Sequence, residues 1–229
     1  MSIPRIIHAA WFGGNEKPDI IKYCMDSWAR FLPDYQVQIW DETNFDVNIC
    51  SYVRDAYKTK KWAYVSDYVR LWALSNYGGV YMDLDVEVVK PLDKFLHHKA
   101  FTGHETKELM LAATMGAEAH HPWISYLLGW YHNTLFNPNL LIPNTQIVTA
   151  LSRSWVYQET YDFKYLHQGV VIYPADVFAP FNHQYMKPTP TEHTHCIHHF
   201  AGSWLEYRPE LNYNVIDPIQ VREVKHAHI

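Results

Sequence analysis

Residues 77–86 of this 229-residue chain read Tyr77-Gly-Gly-Val-Tyr-Met-Asp83-Leu-Asp85-Val86. The two glycines predict a tight turn, and the alternating apolar residues after them predict a strand. Because strand side chains alternate between faces, Asp83 and Asp85 would share one face about 7 Å apart. Carboxylates at this spacing repel each other unless a cation or hydrogen-bond donors compensate. The stretch therefore indicates either a divalent-metal site or a half-buried strand with a wetted acidic face.

The segments before this stretch predict an α/β sheet. They alternate between two patterns: 4–12 and 37–40 read as strands, and 18–31 and 61–77 read as helices. The first strand would end at Gly13 and Gly14, and Gly78 would end the last helix. Ligands of such sheets bind beyond the carboxyl ends of the strands, where both glycine turns would lie.

The patterns are weaker beyond residue 100. They predict helices over 119–131, interrupted at Pro122, and over 145–155, and strands over 169–173 and 191–200. There is no internal repeat and no linker composition, so one compact domain is expected.

Composition narrows the functional classes. The chain is 48% hydrophobic and 16% aromatic with a formal net charge of −5, which is typical of a globular protein and argues against general nucleic-acid binding. Its three cysteines are widely spaced, which favours free thiols in a reducing compartment. No signal peptide and no apolar run of about 18 residues is present, so we expect a soluble cytoplasmic protein.

Two further groups are candidates for a polar site. Asp67 and Arg70 are three residues apart on the 61–77 helix, so they form either a surface ion pair or a partly buried pair that faces the pocket. The histidines and the cysteine of residues 193–199 resemble a zinc-binding tract, but neighbours on one strand face opposite sides and cannot all converge. One or two of these histidines could join the carboxylates around Mn²⁺ or Mg²⁺, and the rest would be ordinary histidines.

Taken together, residues 7–14, 65–70 and 77–85 resemble the DXD-containing sugar transferases of glycosyltransferase family 32. This family includes yeast α-mannosyltransferases and bacterial capsule-synthesis enzymes, and the clostridial glucosylating toxins share related motifs. Residues 199–204 are similar to its C-terminal element. The resemblance implies a single GT-A domain over 1–229, a Rossmann-like nucleotide-sugar-binding sheet flanked by helices. Residues 1–100 would form the nucleotide-sugar half, and 101–229 the acceptor side with a C-terminal element that closes over the metal and the diphosphate.

The resemblance also implies roles by position. The donor would be bound by a set of residues that comprises Trp11 on the base, Asp67 and Arg70 on the sugar, Tyr81 in the pocket wall, and Asn144, Ser203 and Trp204. Asp83 would contact the ribose and the metal, and Asp85 would ligate the metal directly. His199 matches the C-terminal metal ligand, with His198 as its competitor. The catalytic group would be Asp83, Asp85, Asp67 and Arg70.

The function implied is transfer of a hexose, with retained anomeric configuration, from a nucleotide sugar to a glycan or glycolipid acceptor. We expect a UDP-sugar donor, Mn²⁺ or Mg²⁺ as cofactor, a role in capsule, exopolysaccharide or a related bacterial glycan, and peripheral contact with the inner face of the membrane. The sequence shows no convincing carboxylate nucleophile, which favours front-face attack. Two alternatives remain: a carbohydrate-binding module with structural Ca²⁺, and a metal-dependent phosphohydrolase or nucleotidyltransferase.

Overall fold

The computed structural model describes residues 3–159, 164–182 and 187–201. Its strands are β1 (Ile6–Ala10), β2 (Gln36–Trp40), β3 (Gly79–Met82), β4 (Val86–Val88), β5 (Ala100–Gly103), β6 (Thr114–Ala117), β7 (Val156–Glu159), β8 (Lys164–Leu166), β9 (Val170–Tyr173), β10 (Phe181–Asn182), β11 (Lys187–Pro188) and β12 (Cys196–His198). Its α-helices are α1 (Asp19–Phe31), α2 (Ser51–Lys58), α3 (Trp62–Tyr77), α4 (Pro122–His132), α5 (Asn144–Ser152) and α6 (Ala175–Phe178).

Eight strands form the main sheet in the order β2-β1-β3-β6-β5-β9-β8-β7. β1 pairs in parallel with both β2 and β3, and β5 pairs in parallel with β9. The other four pairings are antiparallel. The predicted α/β architecture is confirmed, as a mixed sheet. Two short ribbons, β4–β12 and β10–β11, lie beside it.

The parallel pairing of β1 and β3 positions the candidate site. It aligns Ile7 with Val80, so both strands run in the same direction and end at the same edge of the sheet. The Trp11–Gly14 turn follows β1, and the Asp83–Asp85 stretch follows β3. The prediction that both stretches lie at carboxyl ends of strands is therefore confirmed.

The two faces of the sheet are covered by separate apolar clusters. One cluster contains α3 and α4, and the other contains α1 and the apolar residues of β3 and β4. Five residues that the alternation assigned to one face all belong to this second cluster: Val80, Met82, Leu84, Val86 and Val88. Tyr81 belongs to the first cluster. The predicted division into faces is confirmed.

The prediction of one continuous strand through the carboxylates is wrong. β3 ends at Met82, and residues 83–85 form a turn in which the Val86 N–H donates to the Asp83 carbonyl at 3.0 Å. The chain then leaves the main sheet as β4, which pairs with β12. Apolar alternation continues across the turn because Leu84 buries its side chain in the same cluster as Met82 and Val86. Periodicity alone could not reveal the break.

Pro122 is a second correction. It occupies the first turn of α4, where its missing N–H costs nothing, instead of interrupting a longer helix. The predicted 191–200 strand is shorter in the structure, where β12 covers Cys196–His198 and pairs with β4. The three cysteines are free thiols, as expected. Within the described part of the chain, no helix is long and apolar enough to cross a membrane.

Gly78 and Gly79 join α3 to β3. Both have positive φ, 64° and 108°, in the left-handed range that glycine tolerates best. A Cβ at Gly79 would lie 2.6 Å from the Ile6 carbonyl oxygen, so the backbones of β1 and β3 approach closely here. The buried His8 ring fixes the same junction, because its Nε2 lies 2.9 Å from the Gly78 carbonyl oxygen. The Trp40 indole N–H donates to Nδ1 at 3.3 Å, which assigns the proton of the neutral ring to Nε2.

We expect His8 to make folding pH-dependent. Burial lowers the pKa of its imidazole, whereas the unfolded chain protonates near pH 6.5. The contribution of His8 to the free energy of unfolding is therefore fully present above pH 6.5. Below pH 6.5 the unfolded chain binds a proton that the folded chain does not, so this contribution decreases by at most about 1.4 kcal/mol per pH unit. His8→Gln should reduce this slope in urea unfolding between about pH 6.5 and pH 5, whereas His193→Gln, at an exposed position, should not. An unchanged slope in His8→Gln would rule out the assignment.

Candidate active site

Arg70 lies at the centre of the site. Asp67 precedes Arg70 by about one turn of α3. The Nη1 group of Arg70 donates to Oδ1 of Asp67 at 2.9 Å, and the Nη2 group of Arg70 donates to Oδ1 of Asp83 at 2.9 Å. The guanidinium carbon lies 4.7 Å from the centroid of the Tyr81 ring. Arg70 is 3% exposed, so the surface ion pair is excluded and the buried pair is the correct interpretation. The helix and the DXD turn therefore meet through one arginine.

Electrostatics keeps this arginine charged. Burial lowers the pKa of Arg70, but its interactions with Asp83, Tyr81 and Asp67 outweigh this effect, so the net shift of the pKa is upward. For Asp67, burial raises the pKa to about 6, against the opposing effect of Arg70. The site thus holds a permanent cation between two acids, one of which is costly to ionise.

Asp83, Asp85 and His198 could hold a metal ion. One ligand atom from each lies within 4.8 Å of the other two. The turn at 83–85 thus brings the two carboxylates closer than the backbone spacing of about 7 Å between alternate residues of a strand. Two carboxylate oxygens and one imidazole nitrogen suit Mn²⁺ well and Mg²⁺ acceptably. The donor set fits the divalent ion expected from the sequence.

The β4–β12 ribbon brings His198 to this position. His198 pairs with Val86, the residue after Asp85, and its Nε2 lies 3.3 Å from Asp85 Oδ1. The other carboxylate oxygen of Asp85 accepts from the Ala201 N–H at 2.9 Å. Burial alone would raise the pKa of Asp85, but His198 and the Ala201 N–H outweigh it, so the net shift is downward. Burial likewise opposes charging of His198, and Asp85 reverses the effect and raises its pKa.

His199 lies elsewhere, which reverses the order of preference between the two histidines. Its Nε2 is 2.9 Å from Oε2 of Glu87, and Oε1 of Glu87 accepts from the Tyr23 hydroxyl at 2.7 Å. His199 lies just beyond the end of β12, and its ring contacts Glu87, whereas the ring of His198 contacts Asp85. Glu87 therefore pairs with Tyr23 and His199 and lies outside the group formed by Asp83, Asp85 and His198.

Separate variants of the two histidines test this geometry. His198→Ala should weaken Mn²⁺ binding at least about tenfold, because one of three ligand atoms is lost. His199→Ala keeps the ligand set and should change the affinity far less. Both affinities are measurable by titration of Mn²⁺ followed by electron paramagnetic resonance. A larger loss in His199→Ala than in His198→Ala would restore the original preference.

Asn144 contacts a tyrosine that lies close to Asp67. It begins α5, and its Nδ2 donates to the hydroxyl of Tyr131 at 2.7 Å. Tyr131 lies within the field of Asp67, since burial and then that carboxylate raise its pKa. The buried side-chain atoms that make no hydrogen bond within the described residues include Arg70 Nε, Asn144 Oδ1 and Gln146 Oε1. Such atoms are costly unless a polar group pairs with them, which the hydroxyls of a sugar could do.

The remaining predicted residues are placed as follows. Trp11 is half-buried; its indole N–H donates to the Asn15 carbonyl at 2.8 Å, and the Lys17 ammonium lies 5.7 Å from its ring centroid. Tyr81 is 1% exposed, and the guanidinium of Arg70 lies over its ring. Ser203 and Trp204 lie outside the described residues.

Glu105 is a further acid close to this site, and sequence reasoning missed it. It lies in the loop after β5, and burial raises its pKa, with His198 opposing and Asp83 adding to the shift. No local sequence pattern marks it, because only the fold brings this loop to the DXD turn.

Known proteins similar to this chain include glycosyltransferases. Residues 18–102 match the family described as "Glycosyltransferase sugar-binding region containing DXD motif". Inositol phosphoceramide mannosyltransferase 3 of Schizosaccharomyces pombe is 29% identical over 131 residues, which are 54% of this chain and 35% of that protein. The chain therefore spans about a third of the length of this relative.

Two solved structures show the fold. The structure titled "PaToxG Glycosyltransferase" has a TM-score of 0.53 at 17% identity and covers 67% of this chain and 69% of its own. The structure of a glycosyltransferase involved in the glycosylation of the major capsid of PBCV-1 has a TM-score of 0.52 at 10% identity. The match covers 85% of this chain and 93% of that chain. The GT-A fold expected from the sequence is confirmed.

Proposed function

We propose that this chain, whose residues 18–102 carry the sugar-binding region of the DXD-containing glycosyltransferases, is a metal-dependent retaining glycosyltransferase. It moves a hexose from a nucleotide sugar to a glycan or glycolipid acceptor. One observation carries the proposal: the buried Asp67–Arg70–Asp83 network adjoins the Asp83, Asp85 and His198 group at the carboxyl ends of β1 and β3. Sugar-binding and metal-binding groups thus share Asp83.

The residues divide the chemistry between them. Asp83, Asp85 and His198 would hold the divalent ion, which when bound neutralises the charge of the departing diphosphate. Asp67 would accept hydrogen bonds from donor hydroxyls, and Arg70 would donate to the sugar or to the phosphate. The bond from the anomeric carbon to the phosphate oxygen breaks as the bond to the acceptor oxygen forms. The acceptor proton passes to the leaving phosphate, so attack occurs from the front face; a covalent glycosyl adduct on Asp67 or Glu105 would contradict this.

The donor and acceptor follow from two lines of support. The sequence resemblance favours a UDP-sugar, and the name of the relative adds mannosyl donors and a phosphoceramide acceptor as candidates. A glycolipid acceptor is compatible with peripheral contact at the inner membrane face, and cytoplasmic location remains part of the proposal. The role in capsule or exopolysaccharide synthesis stays a prediction from the resemblance.

A donor screen tests the function. UDP- and GDP-sugars should raise the thermal unfolding midpoint only with Mn²⁺ or Mg²⁺ present, and the stabilising donor should be hydrolysed slowly to free sugar. Sugar binding that needs neither nucleotide nor metal would indicate a carbohydrate-binding module instead.

Trp11 should bind the base of the donor. Its ring follows β1 and remains half-buried, and a base that stacks on an aromatic ring is stabilised by about 1–3 kcal/mol. Trp11→Ala should therefore weaken binding of the nucleoside diphosphate by about five- to 150-fold in calorimetric titration. Trp155→Ala, a change at a partly buried tryptophan outside the site, is the control. Unchanged affinity in Trp11→Ala would show that Trp11 does not bind the base.

A further inference from the structure

The segment between Glu118 and Arg153 contains no Asp, Glu, Lys or Arg, although charged residues make up 19% of the chain. Its middle part, residues 133–143, connects α4 to α5. We call it the leucine loop, because three of its leucines are exposed by 61%, 50% and 39%: Leu135, Leu140 and Leu141. Three exposed leucines on one loop without charges form an apolar surface of the kind that marks an interaction site.

The leucine loop is anchored by its other apolar residues. Phe136 is buried and packs against Tyr52 of α2 and Tyr64 of α3, with ring centroids 5.3 and 5.4 Å apart. Ile142 is buried in the same cluster. The loop therefore buries Phe136 and Ile142 and exposes its three leucines, so the leucines lie on a loop that is held in place by the core.

A basic turn borders this loop. Residues 58–61 read Lys58-Thr-Lys60-Lys61 between α2 and α3, and Lys58 and Lys60 are exposed. The Lys61 carbonyl accepts from the Tyr64 N–H at 3.0 Å, and Tyr64 carries the ring that contacts Phe136. The basic turn thus leads directly into the helical turn whose tyrosine contacts Phe136 of the leucine loop.

We propose that the leucine loop and the 58–61 turn form one docking surface for an anionic lipid membrane. Exposed leucines insert among acyl chains, and lysines bind anionic headgroups, so the two features together favour an anionic membrane over a neutral one. Asn144 directly follows the leucine loop, so docking would bring the donor site close to a membrane-bound glycolipid. That last consequence rests on the proposed function, whereas docking itself does not.

Vesicle co-sedimentation without any donor tests the proposal. The whole chain should bind vesicles of phosphatidylcholine and phosphatidylglycerol in a ratio of about 3:1, and should bind pure phosphatidylcholine far less. Leu140→Ser/Leu141→Ser should weaken binding at least about tenfold. Lys58→Gln/Lys60→Asn should weaken it about tenfold at low salt, with the difference shrinking as salt rises.

Matched controls and opposing outcomes are available. Val37→Ser removes an exposed apolar side chain from β2, and Lys22→Gln/Arg30→Gln removes two exposed charges from α1; both variants should bind vesicles as the wild type does. Absence of binding, or binding undiminished in the leucine variant, would overturn the proposal. A different result would also overturn it: the wild type does not bind vesicles and forms a dimer in light scattering, and the leucine variant is a monomer. In that case a second copy of the chain would cover the loop. Donor hydrolysis in solution should be unaffected by the loop variants, so failure of docking and failure of the proposed function are distinguishable.

Discussion

Asp85→Asn should abolish metal-dependent donor hydrolysis and leave the fold intact. Asp85 supplies a carboxylate to the Asp83, Asp85 and His198 group, and its other oxygen accepts from the Ala201 N–H. An asparagine amide oxygen can keep the second contact but removes the negative charge that binds the ion. Loss of a group that stabilises developing charge costs about 10²–10³ in rate, so the hydrolysis rate at fixed Mn²⁺ should fall at least about a hundredfold.

Glu87→Gln is the matched control. Glu87 lies two residues further along the chain and pairs with Tyr23 and His199, so its charge is outside the metal group. The control should keep most of the hydrolysis, and both variants should retain the circular dichroism spectrum of the wild type. Wild-type activity in Asp85→Asn would refute the metal assignment.

Arg70→Met should be the most destabilising single change in the site. Met has similar length but no charge, so the substitution leaves the buried Asp67 and the half-buried Asp83 without their shared partner. Removing one member of a buried ion pair costs about 3–5 kcal/mol, because the remaining charge is uncompensated. The free energy of unfolding in urea should fall by this amount at pH 7.

Arg54→Met separates burial from charge. Arg54 also pairs with an aspartate, Asp55, at 2.9 Å, but both side chains are exposed. Its loss should leave the urea midpoint nearly unchanged, since exposed ion pairs contribute little. Equal effects of Arg70→Met and Arg54→Met would show that the Arg70 network does not stabilise the fold.

Local patterns predicted much of the framework. The helix over 61–77 was readable because its apolar spacing is local and Gly78 can end it with positive φ. Asp67 and Arg70 are neighbours on any helix, so their pairing needed no tertiary information. The position of Trp11 and Asp83 at one sheet edge followed from strand order once β1 and β3 paired in parallel.

Features set by tertiary register could not be read in this way. The turn at 83–85 was hidden because Leu84 continues the apolar alternation of the strand. Choosing between His198 and His199 required their side-chain positions in the fold, where His198 contacts Asp85 and His199 contacts Glu87. Arg70 bridging to Asp83 and the approach of Glu105 likewise depend on where α3 and the loop after β5 pack.

The bond that is broken tests the central claim most directly. Hydrolysis of the stabilising nucleotide sugar in H₂¹⁸O with Mn²⁺ labels whichever fragment water attacks. A glycosyltransferase site cleaves the bond at the anomeric carbon, so mass spectrometry should find ¹⁸O in the free sugar and an unlabelled nucleoside diphosphate, and neither product in Asp85→Asn. Label in a phosphate group, or release of a nucleoside monophosphate, would contradict the account and identify a phosphohydrolase.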